Sequence, residues 1–121
     1  MPIPLQITFR GMSASDALRA DIEKHAAKLE QFADQILGCQ VVMEPAEKHH
    51  HKGNRYQIHL SLQLPERDIH VSRDPALMNR EFEDPYVVVR DTFDAARRQL
   101  EDYIRERRDT VKKHPRPGSV T

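Results

Sequence analysis

The sequence of 121 residues has little cysteine, little glycine and no long apolar run. Cys39 is the only cysteine, which excludes an intrachain disulfide and favours a reducing compartment. No apolar stretch has the length of a membrane span, and the start, MPIPLQITFR, lacks the basic and apolar regions of a signal peptide. These absences predict a cytoplasmic protein that is not held in a membrane.

The chain also lacks the sequence patterns of common enzymes. It has no GxSxG nucleophile motif, and its four glycines form no loop that could cradle a phosphate. Glu44 and Glu47 flank a proline and are expected to be exposed, so they do not form an inward-facing carboxylate pair. We therefore expect a protein that is not an enzyme and that has no cofactor and no small-molecule substrate.

The net charge is zero, because 19 Lys and Arg balance 19 Asp and Glu. A polyanionic partner can therefore be inferred only from local charge. Residues 105–113 contain five basic and two acidic residues, whereas residues 66–84 contain six acidic and three basic. The charge is segregated along the chain.

Residues 84–113 form the longest regular pattern. Asp84 and Pro85 are typical of a helix N-terminus, and no further Gly or Pro occurs before Pro115. Apolar residues recur at steps of three and four, which predicts a helix with one buried stripe: Val89, Phe93, Ala96, Leu100, Tyr103 or Ile104, and Val111. Basic residues gather beside that stripe: Arg90, Arg97, Arg98, Arg105, Arg108 and Lys112.

The remaining segments predict four strands and one more helix. Apolar and polar residues alternate in the strands, at about 5–9, 39–43, 56–64 and 69–72. A helical stripe covers residues 15–32, preceded by capping-box spacing from Ser13 to Asp16. Cys39 is expected to be a small core residue at the start of the predicted strand 39–43. Polar loops are predicted at 47–54 and 74–83.

This order predicts an α+β fold, a two-layer β-α-β-β-β-α sandwich with both helices on one face of a four-stranded sheet. The other sheet face is expected to be wet and to carry His59 and His70 without a special role. We expect one domain over residues 1–113 and a flexible tail over 114–121.

The basic residues beside the helical stripes are candidates for phosphate binding. Lys24 and Lys28 lie four apart on the first helix, next to its apolar stripe. Arg and Lys suit phosphates because they stay charged, and the Arg fork matches phosphate oxygens. The alternative is a solvated surface with ion pairs at i,i+4: Arg90–Asp94, Arg97–Glu101 and Glu101–Arg105.

Three adjacent histidines, His49, His50 and His51, precede Lys52 in a predicted polar loop. The loop could contact phosphates or bases, or it could be a plain polar loop. A metal site is the third alternative, although adjacent rings in an extended loop point in different directions and no carboxylate or cysteine has metal-site spacing. His25 is read as a boundary residue of the first helix and not as a catalyst.

The chain contains four characteristic stretches: SDALRADIEKHAAKLEQF, CQVVMEP, HHHKG and DPYVVVRDTFDAARRQL. They resemble the ribosome hibernation promoting factor and ribosome-associated inhibitor family, which is also labelled sigma-factor modulation protein. The resemblance covers about residues 5–108. It implies a fold similar in outline to double-stranded RNA-binding domains. It also implies binding to ribosomal RNA in the decoding channel of the small ribosomal subunit, which excludes messenger and transfer RNA during stress or stationary phase.

The resemblance assigns RNA contacts to basic side chains on the two helices. Arg19, Lys28 and Arg98 match the family by motif. The other candidates come from the charge pattern: Lys24, Arg90, Arg97, Arg105, Arg108 and Lys112. The chain departs at His25 and Ala95, where some relatives carry lysine. It resembles a short form, without the second domain with which long members dimerise ribosomes.

Two other functions remain open on the sequence. The wet sheet face could bind a transcription or stress-signalling partner, which would make the chain a protein-interaction regulator. Alternatively, His49 to His51 could make it a metal-responsive module.

Overall fold

The computed structural model describes residues 3–45, 56–73 and 84–113, with the side chains of the last segment described up to residue 108. The elements are β1 (Leu5–Phe9), α1 (Asp16–Ala27), a 3-10 helix (Lys28–Phe32), β2 (Gly38–Pro45), β3 (Tyr56–Gln63), β4 (Asp68–Arg73) and α2 (Pro85–Lys113). The predicted order of strands and helices is confirmed.

The four strands form one mixed sheet in the order β1-β2-β3-β4. β1 pairs with β2 in parallel, and α1 provides the crossover connection that a parallel pair requires. β2 pairs with β3, and β3 with β4, in antiparallel register. The short turn between β3 and β4 is closed by a backbone hydrogen bond from Leu64 N to Arg67 O at 3.1 Å.

One face of the sheet is apolar and the other is polar, as predicted. The register aligns Val41, Leu60 and Val71 in one row across the three antiparallel strands, and all three are buried. The next residues along β3, His59 and Ser61, point to the opposite face and are half-exposed. Because side chains alternate along a strand, the period of two in the sequence is sufficient to separate the faces.

Both helices cover the apolar face, and contacts join α2 to β3 and β4. The predicted stripe of α2 is buried: Val89, Phe93, Ala96, Leu100 and Tyr103. Thr92 is also buried, and its hydroxyl donates to the carbonyl of Val88 at 2.7 Å, which satisfies its polar group. No helix within the described residues is long and apolar enough to cross a membrane.

The N-termini of the helices are capped by side chains. Asp84 Oδ1 accepts a hydrogen bond from Tyr86 N at 2.8 Å, which confirms the predicted start of α2. In α1 the predicted capping box from Ser13 is wrong. The cap is Ser15, whose extended backbone lets its hydroxyl accept from Leu18 N at 3.1 Å.

The helical segment reaches Phe32 as predicted, but it is not α-helical throughout. It changes from α to 3-10 geometry after Ala27, and Leu29 within the 3-10 helix remains buried. A tighter last turn is common at helix C-termini. The predicted loops 47–54 and 74–83 and the tail 114–121, and with them the His49 to Lys52 cluster, lie outside the described residues.

The first prediction concerns the core. Leu62→Ala removes a fully buried side chain that faces the helices, so the free energy of unfolding should fall by about 2–5 kcal/mol. Leu37→Ala is the matched control, because Leu37 is 60% exposed and its loss should change stability by less than about 0.5 kcal/mol. Urea denaturation of both variants measures the difference. Equal losses would contradict the burial of Leu62.

The second prediction concerns Cys39, which is buried at the start of β2. Burial raises the pKa of its thiol to about 12, so the reactive thiolate is scarce at any pH where the protein is folded. The native protein should therefore react much more slowly with a disulfide reagent at mildly alkaline pH than the same protein in denaturing urea. Equal rates in the two states would show that the thiol is accessible.

Candidate nucleic-acid interface

α2 carries charges of different sign on the two sides of its buried stripe. At about 100° per residue, Arg90 and Arg97 lie on one side, and Gln99, Asp102 and Glu106 lie on the other. The second set lines a groove of about 350 Å³ beside the edge strand β4. The acidic flank therefore faces the edge of the sheet, and the basic flank is left to face α1.

The contact between the helices is made by two rings. His25 of α1 stacks on Phe93 of α2, with ring centroids 5.8 Å apart and planes inclined by 19°. Asp94, which follows Phe93, acts electrostatically on His25. Since Lys28 lies three residues from His25, and Arg97 three from Asp94, the cationic flanks of the two helices border each other.

We call this shared surface the basic face. Its exposed cations come from segments that are more than sixty positions apart in sequence: Lys24, Lys28, Arg90 and Arg97, with Arg98 at its outer edge on the solvent side of α2.

Most of these cations are available for a ligand. Lys28, Arg97 and Arg98 are exposed, and no carboxylate of the described residues forms an ion pair with them. Lys24 is 3.7 Å from a carboxylate oxygen of Asp21, but its side chain remains 65% exposed. Exposed pairs of this kind contribute little to stability, so a phosphate can replace the carboxylate at small cost.

The ion pairs that the sequence suggested at i,i+4 are not the ones that form. Arg90 pairs with Asp91 at 3.3 Å, and Arg105 pairs with Asp102 at 2.7 Å. Asp94 forms no ion pair with Arg90 among the described residues, and its charge acts on His25 across the helix junction. The solvated-surface alternative therefore explains part of the charge of α2, including Arg90, but it does not explain Arg97 and Arg98, which are unpaired within the described part of the chain.

The structure does not bring all the candidate residues together. Arg19 lies on the opposite flank of α1, with its guanidinium 5.6 Å from the ring centroid of Phe9 on the edge strand β1. Arg105 and Arg108 are exposed further along α2, and the side chain of Lys112 lies outside the described residues. Arg19 therefore borders a surface other than the basic face.

His25 is the most enclosed titratable group at this junction. Its side chain is 10% exposed, and burial lowers its pKa below the ordinary value, a shift that Lys28 and Lys24 reinforce and that Asp21 and Asp94 oppose. The nearer carboxylate oxygen of Asp21 is 3.6 Å from His25 Nε2, beyond hydrogen-bond distance. That oxygen, Oδ2, is buried without a hydrogen-bond partner.

The histidines of the wet sheet face are part of hydrogen-bond pairs across the strands. His59 Nδ1 lies 2.8 Å from Ser72 Oγ, and His59 Nε2 lies 3.1 Å from Glu44 Oε2. His70 Nδ1 lies 3.0 Å from Ser61 Oγ. The described residues contain no group of three or more side chains arranged to hold a metal ion. The hydrogen bonds of His59 and His70 tie together the three antiparallel strands.

One cluster of basic residues was not anticipated from the sequence. The guanidinium groups of Arg67 and Arg107 lie 5.1 Å and 5.5 Å from the ring centroid of buried Tyr103, and Arg107 donates to the Tyr103 hydroxyl at 2.8 Å. Arg67 also pairs with Glu106 at 3.2 Å. The i,i+4 spacing of Tyr103 and Arg107 was a signal for half of this cluster. It attaches α2 to the turn after β3.

Solved structures share this fold. A ribosomal subunit interface protein from Coxiella burnetii matches with a TM-score of 0.66 and 21% identity, covering 84% of this chain and 97% of that one. The N-terminal domain of Protein Y from Thermus thermophilus matches with a TM-score of 0.63 and 22% identity, covering 85% of this chain and 99% of that domain. At such identities the likeness concerns the fold.

No curated protein matches the sequence. A family model does, over residues 5–108, which include the whole sheet, α1 and most of α2. The chain belongs to the Sigma 54 modulation protein / S30EA ribosomal protein family.

Proposed function

We propose that this chain is a ribosome-associated hibernation factor that inhibits translation. It binds ribosomal RNA in the decoding channel of the small subunit and sterically excludes messenger and transfer RNA under stress or in stationary phase. The proposal places the protein in the cytoplasm, assigns residues 1–113 to the ribosome-binding domain and treats 114–121 as a tail. Membership of the S30EA ribosomal protein family supports it, as does the likeness in fold to the ribosomal subunit interface protein from Coxiella burnetii.

The observation that carries the proposal is the basic face. A phosphate backbone presents many negative charges at close spacing, so a protein that binds it needs several cations on one surface. Lys28, Arg97 and Arg98 meet that need, because they are exposed and have no carboxylate ion-pair partner within the described residues. Helices that present Arg and Lys can follow the backbone without reading base sequence.

The other candidate contacts extend this surface. Arg105 and Arg108 are exposed further along α2 towards its C-terminus, and Lys24 and Arg90 lie around the helix junction. Lys112 is kept as a candidate contact from the charge pattern of the sequence. Arg19 lies on the far flank of α1, so its RNA contact requires a second RNA segment near β1. His49, His50, His51 and Lys52 are retained as possible loop contacts.

The third prediction is a steep dependence of ribosome binding on salt. If three or more phosphate contacts are broken together, the association constant for small ribosomal subunits should fall by at least about tenfold between about 50 mM and about 200 mM salt. Co-sedimentation over a salt series measures it. Absence of co-sedimentation at the lowest salt would overturn the proposed function.

Nuclease treatment of the ribosomes separates this proposal from the protein-interaction alternative. Binding through RNA phosphates should be lost when the RNA is digested, whereas binding of a protein partner through the wet sheet face should survive. On that face His59 and His70 already bond to side chains of neighbouring strands, which leaves fewer free polar groups for a partner.

The fourth prediction tests the face itself. Lys28→Glu combined with Arg98→Glu should reduce inhibition of translation in vitro by more than about tenfold, because two favourable phosphate contacts become repulsive. Both side chains are exposed, so the variant should unfold at nearly the same urea concentration as the parent protein.

The matched control is Arg10→Glu combined with Arg73→Glu. It makes the same change in net charge, but both residues lie outside the helices, since Arg10 directly follows β1 and Arg73 is the last residue of β4. The control should inhibit translation almost as well as the parent protein. Equal loss in the two double variants would mean that total charge matters and that the basic face does not.

A further inference from the structure

The helix junction encloses a proton-binding group among the cations of the basic face. The imidazole of His25 is held flat against Phe93 at 5.8 Å and is 10% exposed. Its Nε2 points towards Asp21 Oδ2, 3.6 Å away, and that oxygen is buried without a hydrogen-bond partner. If the imidazole took up a proton and the two groups moved slightly closer, Nε2 would become a charged hydrogen-bond donor to this oxygen.

The charges around His25 come from both helices. On α1 they are Asp21, Lys24 and Lys28, and on α2 the charge is Asp94. With a neutral imidazole the two carboxylates and two ammonium groups cancel. Protonation therefore changes the local charge from zero to plus one, at the place where the two rows of cations meet.

We propose that RNA binding at the basic face is coupled to the protonation of His25. The inference rests on the proposed function, and it adds that acidification strengthens binding. Phosphates bound at Lys28 and Arg97 would bring negative charge close to His25 and would offset the effect of the neighbouring lysines, which favours a positive charge on the imidazole. The imidazolium would then donate to Asp21 Oδ2.

The direction of the effect follows from linkage. In the free protein burial is the largest cause that lowers the pKa of His25, so the group is mostly neutral near neutral pH. Phosphates raise that pKa in the complex, so binding takes up a proton. Between the two pKa values the association constant rises as the pH falls, by up to about tenfold per pH unit for one proton.

The test measures the association constant for purified small ribosomal subunits from about pH 8 to about pH 6 at constant ionic strength. The parent protein should bind more tightly at the lower pH. H25Q keeps a neutral polar side chain of similar size and should lose most of this pH dependence. H59Q is the matched control, since His59 lies on the opposite sheet face, and it should retain the parent's pH dependence.

The outcomes separate this inference from the proposed function. If the parent protein binds with the expected salt dependence but H25Q has the same pH dependence, the coupling is wrong and the proposed function stands. If the parent protein does not bind at any pH, the proposed function fails and the coupling fails with it.

A second measurement does not depend on ribosomes. A titration of the His25 ring followed by NMR in the free protein should have its midpoint below the ordinary histidine value. D21N should lower the midpoint further, because it removes the carboxylate that favours the imidazolium. A His25 midpoint at or above the ordinary value would overturn the proposal, since the free protein would already carry the proton.

Discussion

The packing of α2 on the sheet is the constraint on which the other features depend. Its stripe, from Val89 to Tyr103, is buried against β3 and β4 and fixes the rotation of the helix about its own axis. Once that rotation is fixed, the cationic flank can only face α1 and the acidic flank can only face the edge at β4. At about 25 cal/mol per Å² of apolar surface removed from water, several buried side chains hold this orientation far more firmly than exposed ion pairs could.

The contact of Tyr103 with Arg67 and Arg107 also helps to hold α2 in this orientation on the sheet. Tyr103 is buried between the guanidinium groups of Arg67 and Arg107, so the turn after β3 is attached to the last described turns of α2. Without this contact, the C-terminal turns of α2 would extend past the strands on which the helix packs. Basic residues thus have two roles in this chain, because Arg67 and Arg107 lie close to the Tyr103 ring while Lys28, Arg97 and Arg98 are exposed without an ion-pair partner among the described residues.

The helix junction combines a structural contact with an electrostatic one. His25 contributes to the packing of α1 on α2 through its ring, and the same burial that makes it a packing residue disfavours its charge. In the free protein, the negative charges of Asp21 and Asp94 offset the positive charges of Lys24 and Lys28 around His25. A bound phosphate would change that balance, and in this way the proposed RNA binding would be coupled to the protonation of His25.

The helices and strands, the two faces of the sheet and the buried stripe of α2 could all be predicted from the sequence, because periodicity and helix caps are local properties. The sequence also carried the resemblance to the family. It misplaced the cap of α1, since Ser13 and Ser15 both have capping chemistry and the position of Leu18 in the core selects between them. The folded chain was needed to show that Arg19 lies apart from Lys28, and that His25 of α1 stacks on Phe93 of α2. Those arrangements depend on how one helix packs against another, and helical periodicity carries no information about the neighbour.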